Sequence, residues 1–350
     1  MTTNAVVLAF ISAALFGLST PASKALLGSV DPAILAGLLY CGAGIGVALL
    51  RRIMRATVFG APKETPLSAA ELPWLAGAVL SGGVVGPLLL MIGLSHTEAS
   101  TASLLLTFEG VATALLAWFV FHENFDRRIA LGMACLVGGA IILAWAGQPT
   151  LQGILGPLAI IGACGAWGLD NNLTRKVSLA DPLQIVQIKG LIAGPVTIII
   201  GLASGGHLPS LSPLLLAGVV GFFGIGLSLA LFVLALRDLG SARTGAYFST
   251  APFLGTIAAV VFLNEPVTIQ LVVAGLLMGV GVWLHLTEDH AHDHEHEPME
   301  HAHPHSHDAH HQHEHGPDDP LGEPHTHVHR HTRMTHSHPH VPDMHHTHRH

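Results

Sequence analysis

Two sets of side chains in this sequence could do chemistry, and they sit in very different surroundings. The first is a run of histidines near the C-terminus: His290, His292, His294, His296, His301, His303, His305, His307, His310, His311, His313 and His315, followed by a second run over 325–350. Imidazole is the commonest protein ligand for Zn(II), Ni(II) and Co(II). A flexible chain can wrap an ion without strict ligand spacing, and the interleaved Asp and Glu add oxygen ligands. Metal binding is the expected chemistry of this stretch. The metal is not encoded, because affinity rises along the divalent series whatever the purpose. The plain alternative is a polar, low-complexity extension that takes up metal incidentally.

The second set is sparse and lies in apolar sequence. A charged side chain at the centre of a bilayer costs at least about 2.5–3.5 kcal/mol, so each one needs a partner or a water-filled cavity. Glu109 is the candidate proton-coupling or cation-binding carboxylate; the structural alternative is a carboxylate paired to a neighbouring helix. Asp170, followed by Asn171 and Asn172, and Lys189 fall at similar depth in adjacent segments of opposite direction, given a rise of about 1.5 Å per residue. They are expected to pair, with Gln184 and Gln187 in the same neighbourhood. Lys24 either snorkels to the headgroups or binds an anionic part of a substrate. Ser19 and Thr20, beside Pro21, line a pathway or bond their own helix backbone.

The elements that must hold these groups are membrane helices. Only 11% of the 350 residues are charged, against roughly 25% in soluble domains. Most of the acidic residues and 23 of the 27 histidines follow Leu286, so the region before it is more apolar still. A helix needs about 20 apolar residues to cross the hydrocarbon. Ten such segments are expected: 5–27, 32–50, 72–94, 100–121, 129–147, 153–174, 183–203, 212–235, 243–262 and 268–286. Short connections such as "GSVDP", "SLADP" and "LNEP" carry the helix breakers. The first segment is read as a retained span rather than a signal peptide.

Basic residues mark cytoplasmic connections. Arg51, Arg52, Arg55 and Lys63 follow span 2, Arg127 and Arg128 follow span 4, Arg175 and Lys176 follow span 6, and Arg237 and Arg243 border the connection after span 8. The connections after spans 1, 3, 5, 7 and 9 carry no Lys or Arg. The alternation places both termini, and the histidine tail, in the cytoplasm. Cys41, Cys135 and Cys164 fall inside apolar runs without metal-type spacing and read as small packing residues. Basic residues are too few and scattered for nucleic-acid binding.

The two halves resemble one another. Phe16-Gly17-Leu18 and Asp31-Pro32 match Trp167-Gly168-Leu169 and Asp181-Pro182, and "ALLAWFVFHEN" at the end of span 4 matches "TIAAVVFLNEP" at the end of span 9. Five spans per half invert the second half in the membrane, the arrangement of many secondary transporters, with the substrate site between the halves.

The stretches "FGLSTPASK" (16–24), "GLSHTEASTASLLLTFEGVATALLAWFVFHE" (93–123), "WGLDNN" (167–172) and "FVLALRDLGSARTGAYFSTAPFLGTIAAVVFLNEP" (232–266) resemble the drug/metabolite transporter superfamily, in particular its EamA-like branch. The resemblance covers about residues 5–286 and speaks for the family, not the substrate. The family usually carries a proline in mid-span 4 and mid-span 9. Pro252 supplies the second, while Gly110 stands at the first position, so a bend in span 4 would rest on Gly110. Pro21, Gly110 and Pro252 are the expected hinges.

The expected fold is an all-α integral membrane protein of ten helices in two inverted five-helix repeats, 1–147 and 148–286, with a disordered histidine-rich tail, 287–350. The expected function is proton-coupled export of small molecules by alternating access, in the inner membrane of a bacterium. The pathway or coupling residues would be Glu109, Asp170, Lys189, Asn171, Asn172, Gln187, Lys24, Ser19 and Thr20. The alternative is export of Ni, Co or Zn, with the tail capturing cargo. No cofactor is required, a divalent metal on the tail is the one option, and lipid and a small-molecule substrate are the partners. A homodimer stays open as an assembly state. No nucleophile–base constellation points to an enzyme.

Overall fold

The computed structural model describes residues 3–57, 71–121, 127–144, 151–175, 177, 181–239, 244, 247–286, 290–296, 300–305, 325–330 and 334–340. Up to residue 286 every regular element among these is helical. In chain order they are α1 (Thr3–Leu26), α2 (Pro32–Thr57), α3 (Leu72–Ala78), a π-helical stretch (Val79–Val85), α4 (Gly86–Ser95), α5 (Ala99–Leu105), α6 (Phe108–Phe121), α7 (Arg127–Ala144), α8 (Leu151–Arg175), α9 (Pro182–Ala203), α10 (Leu211–Gly221), a second π-helical stretch (Phe222–Leu227), α11 (Ser228–Leu239), α12 (Ala251–Leu263) and α13 (Ile269–Leu286).

Among the described residues, six helical segments are long and apolar enough to cross a membrane: Ala5–Leu26, Pro32–Met54, Leu72–Ser95, Gly153–Thr174, Leu183–Ala203 and Leu211–Ala235. Ala130–Leu143, Ala251–Leu263 and Ile269–Leu284 are shorter apolar helices. The expected fourth span is divided into α5 and α6. The outward faces match a lipid solvent: Leu80, Ile199, Phe262, Ile269 and Leu276 are each more than 60% exposed, a pattern that water would penalise.

Local sequence accounts for the starts of two helices. Asp31 Oδ1 accepts from Ala33 N at 3.0 Å and Ile34 N at 3.4 Å, and Asp181 Oδ1 accepts from Leu183 N at 2.9 Å and Gln184 N at 3.3 Å. Each Asp satisfies amides that a helix start leaves unpaired, and the proline after it has no N–H to leave orphaned. Asn264 ends α12 in the left-handed conformation (φ 55°), one that asparagine tolerates.

Helix contacts follow a simple scheme. α2 packs along α9, and α7 along α13. α8 holds α3, α4 and α6, while α1 holds α10, α11 and α12. The α2–α9 seam brings backbones together at its centre: a Cβ on Gly44 would stand 2.7 Å from Leu191 N, and one on Gly190 would stand 2.6 Å from Gly44 Cα. Backbones approach so closely only where both residues are glycine.

Span 4 departs from the expectation. Its interruption lies at Leu106–Thr107, where the α-helix gives way for two residues to a tighter turn, with Thr107 N donating to Leu104 O at 3.1 Å, and not at Gly110, which is already inside α6. A Cβ on Gly110 would meet nothing within 4 Å. The interruption therefore does not fall on that glycine. Thr107 Oγ1 instead donates to Leu104 O at 2.7 Å, competing with the ladder from within. Pro252 does lie just beyond a turn at Ser249–Thr250, and Pro21 is inside a continuous α1.

The tail also departs from the expectation. Among its described residues are four strands, β1 (His290–His296), β2 (Glu300–His305), β3 (His325–Arg330) and β4 (Met334–His340). β1 pairs antiparallel with β4 and β2 with β3, and the registers set histidine opposite histidine, as in His292 opposite His338 and His303 opposite His327. The alternation of histidine with other residues has the period of two that a strand repeats. The other tail histidines in the candidate ligand set, His307, His310, His311, His313 and His315, lie outside the described residues.

Candidate transport site

Three helices bring the expected central residues together. Asp170 on α8 and Lys189 on α9 form an ion pair in which Lys189 Nζ lies 2.6 Å from both carboxylate oxygens. Thr174, one turn further along α8, donates to Asp170 Oδ1 at 2.9 Å. Asp170 is 7% exposed. A charge so placed is tolerable only when paired and hydrogen-bonded, and this one is both.

Asn171 points the other way. Its Nδ2 donates to Glu109 Oε1 at 2.9 Å and to Thr113 Oγ1 at 3.2 Å, both on α6. Asn172 Nδ2 donates to Gly168 O at 2.8 Å and Thr113 O at 3.3 Å. Glu109 thus stands in the first turn after the break in span 4, with an amide rather than a cation on it, while Asp170 is already neutralised. Glu109 is half-buried and Asn171 exposed, so this end of the cluster meets open space.

The first π-helical stretch shapes the other wall. Widening the helical turn leaves main-chain groups without their usual partners. Gly82 O accepts from Tyr40 Oη at 2.7 Å and from Trp167 Nε1 at 3.0 Å. The residue has to be glycine here, because a Cβ would fall 1.9 Å from Asp170 Oδ2. Tyr40, Gly82, Thr113, Trp167 and Thr174 were not legible as site residues. For all but Gly82 the residue type was the one signal, a polar or aromatic group in an apolar segment.

Gln187 is drawn toward the end of α2, where Arg51 donates to Gln187 Oε1 at 2.7 Å and pairs with Asp181. Among the described residues, no hydrogen bond ties Lys24, Ser19 or Thr20, all on α1, to the cluster. Lys24 Nζ donates to Leu94 O at 2.6 Å and Thr97 O at 2.8 Å, and Ser19 Oγ to Phe16 O at 2.6 Å. Thr20 is buried. Among the described residues no three of His, Cys, Asp and Glu gather as a metal site.

Apolar helices of membrane-spanning length, lipid-like outer faces and a satisfied polar cluster within them define an integral membrane protein. The model of the EamA-like transporter family matches it twice, over residues 3–145 and 154–287. The chain belongs to that family. It is 31% identical over 283 residues, 77% of this chain and 82% of the other, to an uncharacterized transporter of Methanothermobacter thermautotrophicus. It is 25% identical to the uncharacterized transporter YvbV of Bacillus subtilis, over 83% of this chain and 93% of that one. A 71-residue stretch, 20% of this chain and 61% of the other, is 37% identical to a probable 4-amino-4-deoxy-L-arabinose-phosphoundecaprenol flippase subunit, ArnE, of Pseudomonas fluorescens. A solved crystal structure superposes with a TM-score of 0.57 over 81% of this chain and 96% of that one, at 17% identity, a likeness in fold alone. The named relatives are transporters, in keeping with a protein that is not an enzyme.

Proposed function

We propose that the protein is a secondary exporter of small polar organic molecules, built as two inverted five-span halves and driven by proton exchange at Glu109. The observation that carries the proposal is the division of labour in the cluster. Lys189 closes Asp170, while Glu109, on an amide at the open side, is left to exchange a proton or meet a cationic group.

The inverted repeat is supported by the way irregularities recur. The π-helical stretches begin at Val79 and Phe222 and the two-residue breaks at Leu106 and Ser249, in both cases 143 residues apart. The packing scheme exchanges with itself under a shift of five spans: α8 with spans 3 and 4 corresponds to α1 with spans 8 and 9, and the α2–α9 and α7–α13 contacts correspond to themselves. The double match of one family model supports the same reading. Alternating access would then rock the α8 group against the α1 group around the α2–α9 seam, with both termini cytoplasmic in a bacterial inner membrane. The flippase likeness supports outward movement of polar cargo.

The second reading, export of a divalent transition metal captured by the tail, is favoured by the histidine composition alone. The central cluster offers carboxylates, amides and an ammonium, a set suited to an organic solute rather than to a borderline-soft ion. Cells carrying the full chain, a deletion after Leu286, or Glu109→Gln, challenged with Ni, Co and Zn and with a panel of organic solutes, separate the two. Solute resistance lost in Glu109→Gln and kept in the deletion supports the first. Metal resistance lost with the tail supports the second.

A further inference from the structure

We propose that Lys24 and Glu265 form a clasp that shuts one end of the pathway, resting on the alternating-access mechanism proposed above. Both act on the short connection between α4 and α5. Lys24, near the end of α1, donates to Leu94 O and Thr97 O, the last carbonyls of α4 and its exit turn. Glu265, just beyond α12, accepts from Ala99 N at 2.6 Å and Ser100 N at 2.7 Å, the first amides of α5.

Each charge matches the helix end that it meets. A cation complements the negative C-terminal end and an anion the positive N-terminal end, and the hydrogen bonds are charge-assisted. Both charged residues belong to the α1 group, and the connection they grip leads from a helix held by α8. α5 itself is split in loyalty: it packs on α12 and α1, with Thr256 Oγ1 donating to Ser100 O at 3.1 Å, whereas α6 packs on α8. The clasp therefore ties the two moving groups together, and the Leu106–Thr107 break is where that tie can yield.

This contact differs in kind from the α2–α9 seam. The seam is backbone against backbone at its centre, at Gly44 and Gly190, with a side-chain hydrogen bond from Arg51 to Gln187 toward the end of α2. The clasp is made of side-chain bonds to helix ends, which water can replace when the groups part. By the proposed orientation it lies at the external end, and Arg51 with Asp181 at the cytoplasmic end.

The test places Asn171→Cys in a background lacking the three native cysteines and measures labelling by a membrane-impermeant maleimide from either face of oriented vesicles. Lys24→Gln and Glu265→Gln are each expected to raise external labelling at least about fivefold, as loss of a charge-assisted bond shifts a two-state balance, and to lower labelling from the cytoplasmic face. Lys24→Arg keeps the parent pattern. Unchanged external labelling in both glutamine variants, with a parent labelled from one face only, overturns the clasp. A parent labelled equally from both faces overturns alternating access and the clasp together. Should a glutamine variant not fold, Ala99→Cys with Glu265→Cys, bridged by a short bifunctional reagent, is expected to block external labelling of Asn171→Cys. External labelling that persists after complete bridging overturns the proposal.

Discussion

Asn171 reaches from α8 to Glu109 on α6 and fixes the carboxylate with a 2.9 Å hydrogen bond. The next residue, Asn172, anchors the same helix to Thr113 O, while the preceding one, Asp170, turns to Lys189 on α9. Three consecutive side chains thus serve two neighbouring helices, because successive residues on a helix point about 100° apart.

Asn171→Leu removes the amide and leaves Glu109 without its partner. Proton-driven transport in proteoliposomes is expected to fall by about tenfold, the effect of ~1.4 kcal/mol on a rate. Glu109→Gln is expected to abolish proton coupling while leaving the protein folded. Full proton-driven transport by Glu109→Gln would remove Glu109 from the mechanism.

Breaking the Asp170–Lys189 pair from one side strands a buried charge. Lys189→Met or Asp170→Leu alone is expected to cost about 3 kcal/mol of stability, toward the low end for a buried pair, because Lys189 retains some exposure. Combining the two removes both charges and is expected to recover most of that loss. Thermal unfolding in detergent of the two single variants and the double variant checks the sign of the coupling.

Two glycines give opposite results on the same substitution. Gly82→Ala drives a methyl into the Asp170 carboxylate and is expected to lower the melting temperature and disturb transport. Gly110→Ala points into open space and is expected to be neutral or to gain up to about 1 kcal/mol from helix propensity. Melting curves of the two variants, side by side, make the comparison.

Deleting the chain after Leu286 is expected to abolish high-capacity Zn(II) and Ni(II) binding by calorimetry and to leave transport of organic solutes intact. Retained metal binding would place the ligands in the membrane region instead.

Much of this architecture was legible because lipid imposes simple rules. Long apolar segments and the pairing of Asp170 with Lys189 both follow from the cost of leaving charges or amides unsatisfied. The breaks in the spans were not legible at their true places. Gly110 drew attention because it stands where a proline was expected, while the interruption at Leu106–Thr107 carries a threonine hydroxyl bonded to its own helix. Lys24 and Glu265 were equally opaque. Each binds main-chain atoms of a distant turn, and a backbone partner leaves no residue type in the sequence to betray it. Tyr40 and Trp167 converge on a carbonyl for the same reason.

Cys164 gives the break in span 4 a chemical signature. Its buried thiol lies 3.6 Å from Leu105 O and 4.0 Å from Leu106 O, the carbonyls at the lapse in the ladder. A movement that parts α8 from this break is expected to uncover the sulfur. With Cys41 and Cys135 replaced, Cys164 becomes a conformational reporter already in place, and the rate of its alkylation is expected to follow the opening of that break.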